Sequence, residues 1–126
     1  MTMIEIRHLS KNYGTLDVLK DINATINKGK VVCIIGPTGT GKSTFLRSLN
    51  LLERPEGGEI IIDGTNLLHP KTNIPQIRRK MGMVFQNFNL FNHLTIMENL
   101  CVAPMDLLGM GKEEARAQAM ELLGMV

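Results

Sequence analysis

Polar and apolar residues alternate from Met3 to Leu9 and again from Val18 to Ile26, and each stretch runs into turn-forming residues. A period of two puts one face on a core and the other in water, so both stretches are predicted to be half-buried strands in an antiparallel opening. After the turn Asn27-Lys28-Gly29-Lys30, the pattern changes to the unbroken, mainly β-branched run Val31-Val32-Cys33-Ile34-Ile35. Such a run predicts a central parallel strand covered on both faces. Gly36 to Gly41 is glycine-rich, and from Lys42 to Leu52 the residues Phe45, Leu46, Leu49 and Leu52 recur at helical spacing.

Arg54-Pro55-Glu56-Gly57-Gly58 breaks that helix, Glu59 to Asp63 is another short strand, and Asp63-Gly64 predicts a hairpin turn. Pro75 to Lys80 has the spacing of one or two helical turns, and Met81 to Phe85 that of a short apolar strand ending at Gln86. Asn87 to Thr95 is expected to be loop. Thr95 to Leu100 and Glu113 to Leu123 are expected to be helices, split by Pro104, Gly109 and Gly111. No internal repeat or low-complexity segment interrupts the chain.

With 126 residues, 44% apolar and 21% charged, the chain is sized for one modest core, a single domain or part of one. The net charge of +2, from 14 basic and 12 acidic residues, lacks the one-sided excess of a phosphate-backbone binder, and no nucleic-acid partner is expected. Met1 to Arg7 mixes acid and base where a secretory signal would be continuously apolar, so a cytoplasmic location is expected. No apolar run approaches the roughly 18 residues of a spanning helix, so membrane contact is expected through a partner. Cys33 and Cys101 form no ligand-spaced pair and are expected to be reduced, buried hydrophobes. Asn23-Ala24-Thr25 matches a glycosylation acceptor that a cytoplasmic chain would not use.

The strongest chemical signal is Gly36-Pro37-Thr38-Gly39-Thr40-Gly41-Lys42-Ser43, which fits G-x-x-x-x-G-K-[ST] between an expected buried strand and an expected helix. A phosphate chain needs several converging backbone N–H groups, and glycine lets the backbone turn sharply enough to aim them. The helix beginning at Lys42 adds the positive end of its dipole. The Lys42 ammonium reaches the β and γ phosphates, and the Ser43 hydroxyl is offered to Mg²⁺. The loop alone does not choose among kinases, GTPases and motor ATPases. No N-K-x-D guanine-reading segment occurs, and neither an acceptor site nor an arginine-rich lid of a small kinase is recognisable.

The chain resembles the nucleotide-binding subunits of ABC transporters. The resemblance rests on Lys11-Asn12-Tyr13-Gly14, Val18-Leu19-Lys20-Asp21-Ile22, the phosphate loop, Arg47-Ser48-Leu49-Asn50, Gly57-Gly58-Glu59-Ile60, Ile62-Asp63-Gly64 and Met83-Val84-Phe85-Gln86, in that order. The wording from Phe85 to Thr95 and of Glu98-Asn99-Leu100 is most similar to the polar amino-acid uptake branch. The fold this implies is α/β: a P-loop NTPase (RecA-like) core with an amino-terminal antiparallel β portion and the start of an α-helical subdomain, incomplete in these residues. The boundary is expected near residue 95, with residues 1–95 forming the β portion and core and residues 96–126 beginning the helical subdomain.

The same resemblance implies a site for ATP and Mg²⁺. It makes Gly36, Pro37, Thr38, Gly39, Thr40, Gly41, Lys42, Ser43 and Thr44 the phosphate cradle, with Tyr13 stacked on adenine and Val18 beside the ribose or base. A flat ring suits a base face because stacking needs no hydrogen-bond register; the alternative for Tyr13 is an ordinary surface tyrosine. Gln86 matches the family's glutamine at Mg²⁺ and the attacking water, a role that suits a neutral donor and acceptor; the alternative is a solvated loop side chain. Lys42 and Gln86 are thus the candidate catalytic residues, and Ser43 and Gln86 the candidate metal ligands. The implied partners are a transmembrane permease facing residues 87–107 and a second copy of the ATPase subunit, at the inner face of the cell membrane.

Asp63 after an apolar strand imitates a Mg²⁺-holding aspartate, but Gly64 favours a turn. Arg78-Arg79-Lys80 is expected to be a solvated face near a helix end, His93 a lone loop histidine, and the methionines core filler. The L-S-G-G-Q signature, the apolar strand ending in Asp-Glu and the switch histidine of the family do not occur among the 126 residues. These residues alone are therefore expected to bind nucleotide with weak or no turnover, and the strand at 31–35 and the helix at 113–123 to lack apolar partners. The alternative is a non-catalytic nucleotide-binding module that self-associates through those apolar surfaces.

Overall fold

The computed structural model describes residues 1–126, which form two compact units, Met1–Gly82 and Met83–Val126. In the first, β1 (Thr2–Tyr13), β2 (Leu16–Asn27), β3 (Gly57–Ile62) and β4 (Thr65–Asn66) make one antiparallel sheet in the order β2-β1-β3-β4. Both opening strands run longer than the clean alternation suggested, because bulges carry them through its breaks. Between Ile6 and Leu9 the register slips, with Ile6 opposite Ala24 and Leu9 opposite Ile22. His8 (φ 50°) and Asp21 (φ 48°) adopt left-handed backbone there, and His8 Nδ1 lies 2.6 Å from Asp21 Oδ1. The extra residue returns Leu9 to the face of Ile6, so that both are buried.

Those two residues join Leu19, Ile60, Ile62 and Leu67 as the buried core, with Phe45 and Leu49 of α1 (Lys42–Leu49) and Ile74 and Ile77 of α2 (Ile74–Arg78) packed against it. The β3–β4 hairpin turns through Asp63 (φ 49°) and Gly64 (φ 78°), so Asp63 is the turn residue its sequence neighbour suggested. Helix α1 stops at Leu49, short of the expected Leu52, because Leu51 is left-handed at φ 57°. Arg78 holds that reversal: its Nε donates to Asn50 O at 2.8 Å and its guanidinium to Leu51 O at 2.9 Å. Arg78 is exposed in the last turn of α2, as expected of a solvated face near a helix end, and these two bonds are a role beyond that expectation.

Two expected strands are not formed. Residues 31–35 and 81–85 carry no strand pairing, and Val31 is 95% exposed, Ile35 92% and Val84 98%. An apolar run becomes a strand only when neighbouring backbone completes its ladder, and no strand of residues 1–126 pairs with either segment. Cys33, expected to be buried, is exposed for the same reason.

In the second unit, α3 (Ile96–Leu108) and α4 (Lys112–Gly124) pack through buried Cys101, Ala115 and Ala119. A capping box starts α3: Thr95 Oγ1 accepts from Glu98 N at 3.1 Å and Glu98 Oε2 from Thr95 N at 2.7 Å. Pro104, expected to separate helices, lies inside α3, which ends instead at Gly109 (φ 66°). The backbone N–H groups of Gly109 and Met110 both bond Pro104 O, closing the helix. Met97, Met105 and Met110 fill the α3–α4 contact as expected, whereas Met120 stays exposed. No helix is long and apolar enough to cross a membrane.

Candidate functional site: a phosphate-binding loop

The loop from Gly36 to Gly41 enters α1 through a left-handed glycine, Gly41 at φ 90° and ψ 12°. Thr38 and Gly39 (φ 82°) make the turn before it. A Cβ at Gly41 would stand 2.8 Å from Val18 Cγ1 and 3.2 Å from Val18 O, so glycine also admits β2 against the loop. This contact puts Val18 beside the phosphate loop. A Cβ at Gly36 would meet Thr40 Oγ1 at 3.1 Å.

The start of α1 is chemically open. No side chain caps it and no acid stands in its first turn, unlike α3 with its capping box and α4 with Glu113 and Glu114. The positive end of α1 is therefore uncompensated, which favours an anion. Lys42 Nζ donates to Gly36 O at 2.6 Å and to Pro37 O at 2.5 Å, and Thr40 Oγ1 donates to Pro37 O at 2.8 Å. The ammonium is thus held inside the loop by neutral carbonyls, a weaker match than anionic oxygens would be. A cleft of about 410 Å³ opens here, lined by Gly36, Thr40 and Lys42 and by the apolar Leu19, Ile35 and Phe45.

Ser43 is exposed in the first turn of α1, while Thr44 O accepts from the buried Ser48 Oγ at 2.8 Å and so braces the turn. No group of three or more His, Cys, Asp or Glu is placed to hold a metal. A hard cation held only by the Ser43 hydroxyl, phosphate oxygens and water fits this donor set. Gln86 sits in an exposed bend of the second unit. Tyr13 ends β1, 46% exposed, with Lys11 Nζ 5.0 Å from its ring centroid. Lys11 is itself fixed by Arg54 O at 2.8 Å and Glu56 Oε1 at 3.1 Å. Glu56 also accepts from Asn12 N at 3.0 Å, and these contacts hold its carboxyl below the usual carboxylate range, the backbone bond first.

Sequence reasoning missed the hold that Asn99 takes on the segment before α3. Its amide accepts from Phe91 N at 2.8 Å and donates to the carbonyls of Phe91, Leu94 and Thr95. An asparagine three residues inside a helix, after a polar loop, is the only local hint of such a staple.

A glycine-bent loop capped by a lysine, leading into an uncapped helix beside an antiparallel sheet, defines a P-loop nucleotide-binding fold. The sequence profile of the ABC transporter family matches residues 19–126, and the chain belongs to that family. Over 121 residues it is 50% identical to the arginine transport ATP-binding protein ArtM of Bacillus subtilis (strain 168), covering 96% of this chain and 50% of that protein. It is 48% identical over 124 residues to the glutamine transport ATP-binding protein GlnQ of Escherichia coli (strain K12), covering 98% of this chain and 52% of that one. The ATP-binding cassette MJ0796, solved as a dimer in a post-hydrolysis state with ADP and Pi, superposes with a TM-score of 0.87 at 36% identity, over 98% of this chain and 56% of that chain. The chain spans about half the length of these curated relatives.

Proposed function

We propose that these residues bind ATP with Mg²⁺ as the phosphate-cradling part of the nucleotide-binding subunit of an ABC importer for polar amino acids. The observation that carries this reading is the start of α1, where uncommitted N–H groups, the glycine turn at Gly41 and the Lys42 ammonium converge. Gly36 to Thr44 surround the triphosphate, and Lys42 exchanges the carbonyls of Gly36 and Pro37 for the β and γ phosphate oxygens. Ser43 serves the metal, and Tyr13 and Val18 the adenosine. The amino-acid class rests on relatives named for arginine and glutamine transport. In the assembled transporter, residues 87–107 face the permease at the inner surface of the membrane, and a second ATPase subunit completes the nucleotide site.

Hydrolysis needs a carboxylate to polarise water, and no Asp-Glu strand or L-S-G-G-Q signature occurs in the 126 residues. The second reading, a non-catalytic module that self-associates, draws support from the exposed apolar residues Val31, Ile35 and Val84. Calorimetric titration of the chain with MgATP, beside a phosphate-release assay and sedimentation over a concentration series, tests both readings. The first expects binding that Lys42→Ala weakens about tenfold or more, without multiple turnover. Binding indifferent to Lys42→Ala would overturn it, and a concentration-dependent oligomer would favour the second.

A further inference from the structure

We propose that the cleft between the β3–β4 hairpin and α2 is a second anion site, one that takes a phosphate-bearing group and is separate from the loop at Gly36–Thr44. The cleft measures about 480 Å³, and its lining includes Thr65, His69, Lys71, Asn73, Gln76 and Lys80 but no aspartate or glutamate. Its size lies within the roughly 300–1,000 Å³ typical of ligand pockets.

The lining carries no carboxylate, and two of its side-chain acceptors are already engaged. His69 Nδ1 accepts from Lys71 N at 3.2 Å, which leaves the proton of the neutral ring on Nε2 as a donor. Asn73 Oδ1 accepts from Gln76 N at 3.3 Å, so the acceptor end of that amide is occupied and its NH₂ is the end left over. The hydroxyl of Thr72, which also lines the cleft, is turned away and donates to Asn66 O at 2.7 Å. Lys71 and Lys80 enter none of the ion pairs of the chain, which use Arg7, His8 and Lys11. Two unneutralised ammonium groups with amide and imidazole donors around one concavity satisfy a multivalent oxyanion and nothing cationic. Free phosphate or pyrophosphate and the phosphate of a lipid headgroup share this chemistry.

The test uses the 126-residue chain carrying Lys42→Ala, so that the phosphate loop does not mask the second site. One arm titrates inorganic pyrophosphate by calorimetry. The other measures flotation with phosphatidylcholine vesicles with and without phosphatidylglycerol. Adding Lys71→Ala and Lys80→Ala is expected to weaken binding about tenfold or more in at least one arm. Removing the same charge elsewhere, by Lys20→Ala and Lys28→Ala, is expected to leave that binding unchanged. Gln76→Glu, an exposed substitution that places a carboxylate in the cleft, is expected to abolish it. Loss confined to pyrophosphate assigns a free anion, and loss confined to phosphatidylglycerol vesicles assigns a headgroup. Binding in neither arm, or equal loss from both lysine pairs, would overturn the proposal.

Discussion

Gly41 and Val18 are in contact closely enough that a Cβ on the glycine would stand 2.8 Å from Val18 Cγ1. The same glycine is left-handed at φ 90°, whereas Gly39, left-handed at φ 82°, has open space around its missing Cβ. The two positions therefore separate backbone strain from packing. Gly39→Ala is expected to cost about 1–2 kcal/mol for left-handed backbone alone. Gly41→Ala carries a similar strain and also pushes β2 from the loop, so its thermal midpoint should fall further and MgATP affinity should drop with it. Equal midpoints for the two variants would show that the Val18 contact is not tight.

Tyr13 offers a ring braced by the Lys11 ammonium. Tyr13→Ala is expected to weaken ATP about three- to tenfold, the scale of one aromatic stacking contact. Tripolyphosphate, which has no base, should bind both proteins alike. A parallel loss with tripolyphosphate would place the effect in the fold rather than at adenine.

Arg78 bonds the carbonyls of Asn50 and Leu51 with one guanidinium. Lysine donates from a single nitrogen and lacks the planar fork with which Arg78 spans these two carbonyls from two separate nitrogens. Arg78→Lys is expected to destabilise the first unit by about 1 kcal/mol, and Arg78→Ala by somewhat more. Chemical denaturation followed by far-UV circular dichroism reads the difference. No change in either variant would mean that α1 terminates without help.

The Glu98 carboxyl is held below its ordinary value of 4.5, chiefly by the Thr95 backbone N–H and then by the Thr95 side chain. A depressed folded-state value means that the carboxylate stabilises the capping box at neutral pH. That contribution is present above pH 4.5 and is lost as pH falls through the lower folded-state value. Hydrogen exchange at the start of α3 should therefore speed up, relative to its intrinsic rate, in acid. Glu98→Gln should flatten that dependence while leaving the Thr95 cap in place. Persistent acid sensitivity in Glu98→Gln would assign it to another group.

Much of this was legible in local sequence. The alternation at 3–9 and 18–26 marked β1 and β2, Asp63-Gly64 marked the hairpin, and the G-x-x-x-x-G-K-[ST] spacing marked the loop, because each is a short-range rule of backbone geometry. Less legible were the bulge at His8 and the depth of Pro104 in α3. The bulge answers to pairing with β2, a non-local condition, and a proline's lost bond is tolerated when the rest of the helix is packed.

The sequence by itself determined where the glycine turn, lysine and hydroxyl of the candidate loop stand, since they occupy consecutive positions. It also determined that Val31 to Ile35 is apolar and β-branched, but not that the segment becomes a strand. Only the tertiary structure decided that, along with the contact of Val18 with Gly41 and the hold of Arg78 on the end of α1. Each depends on backbone brought from elsewhere in the chain, and a ladder or a close approach exists only when both sides are present.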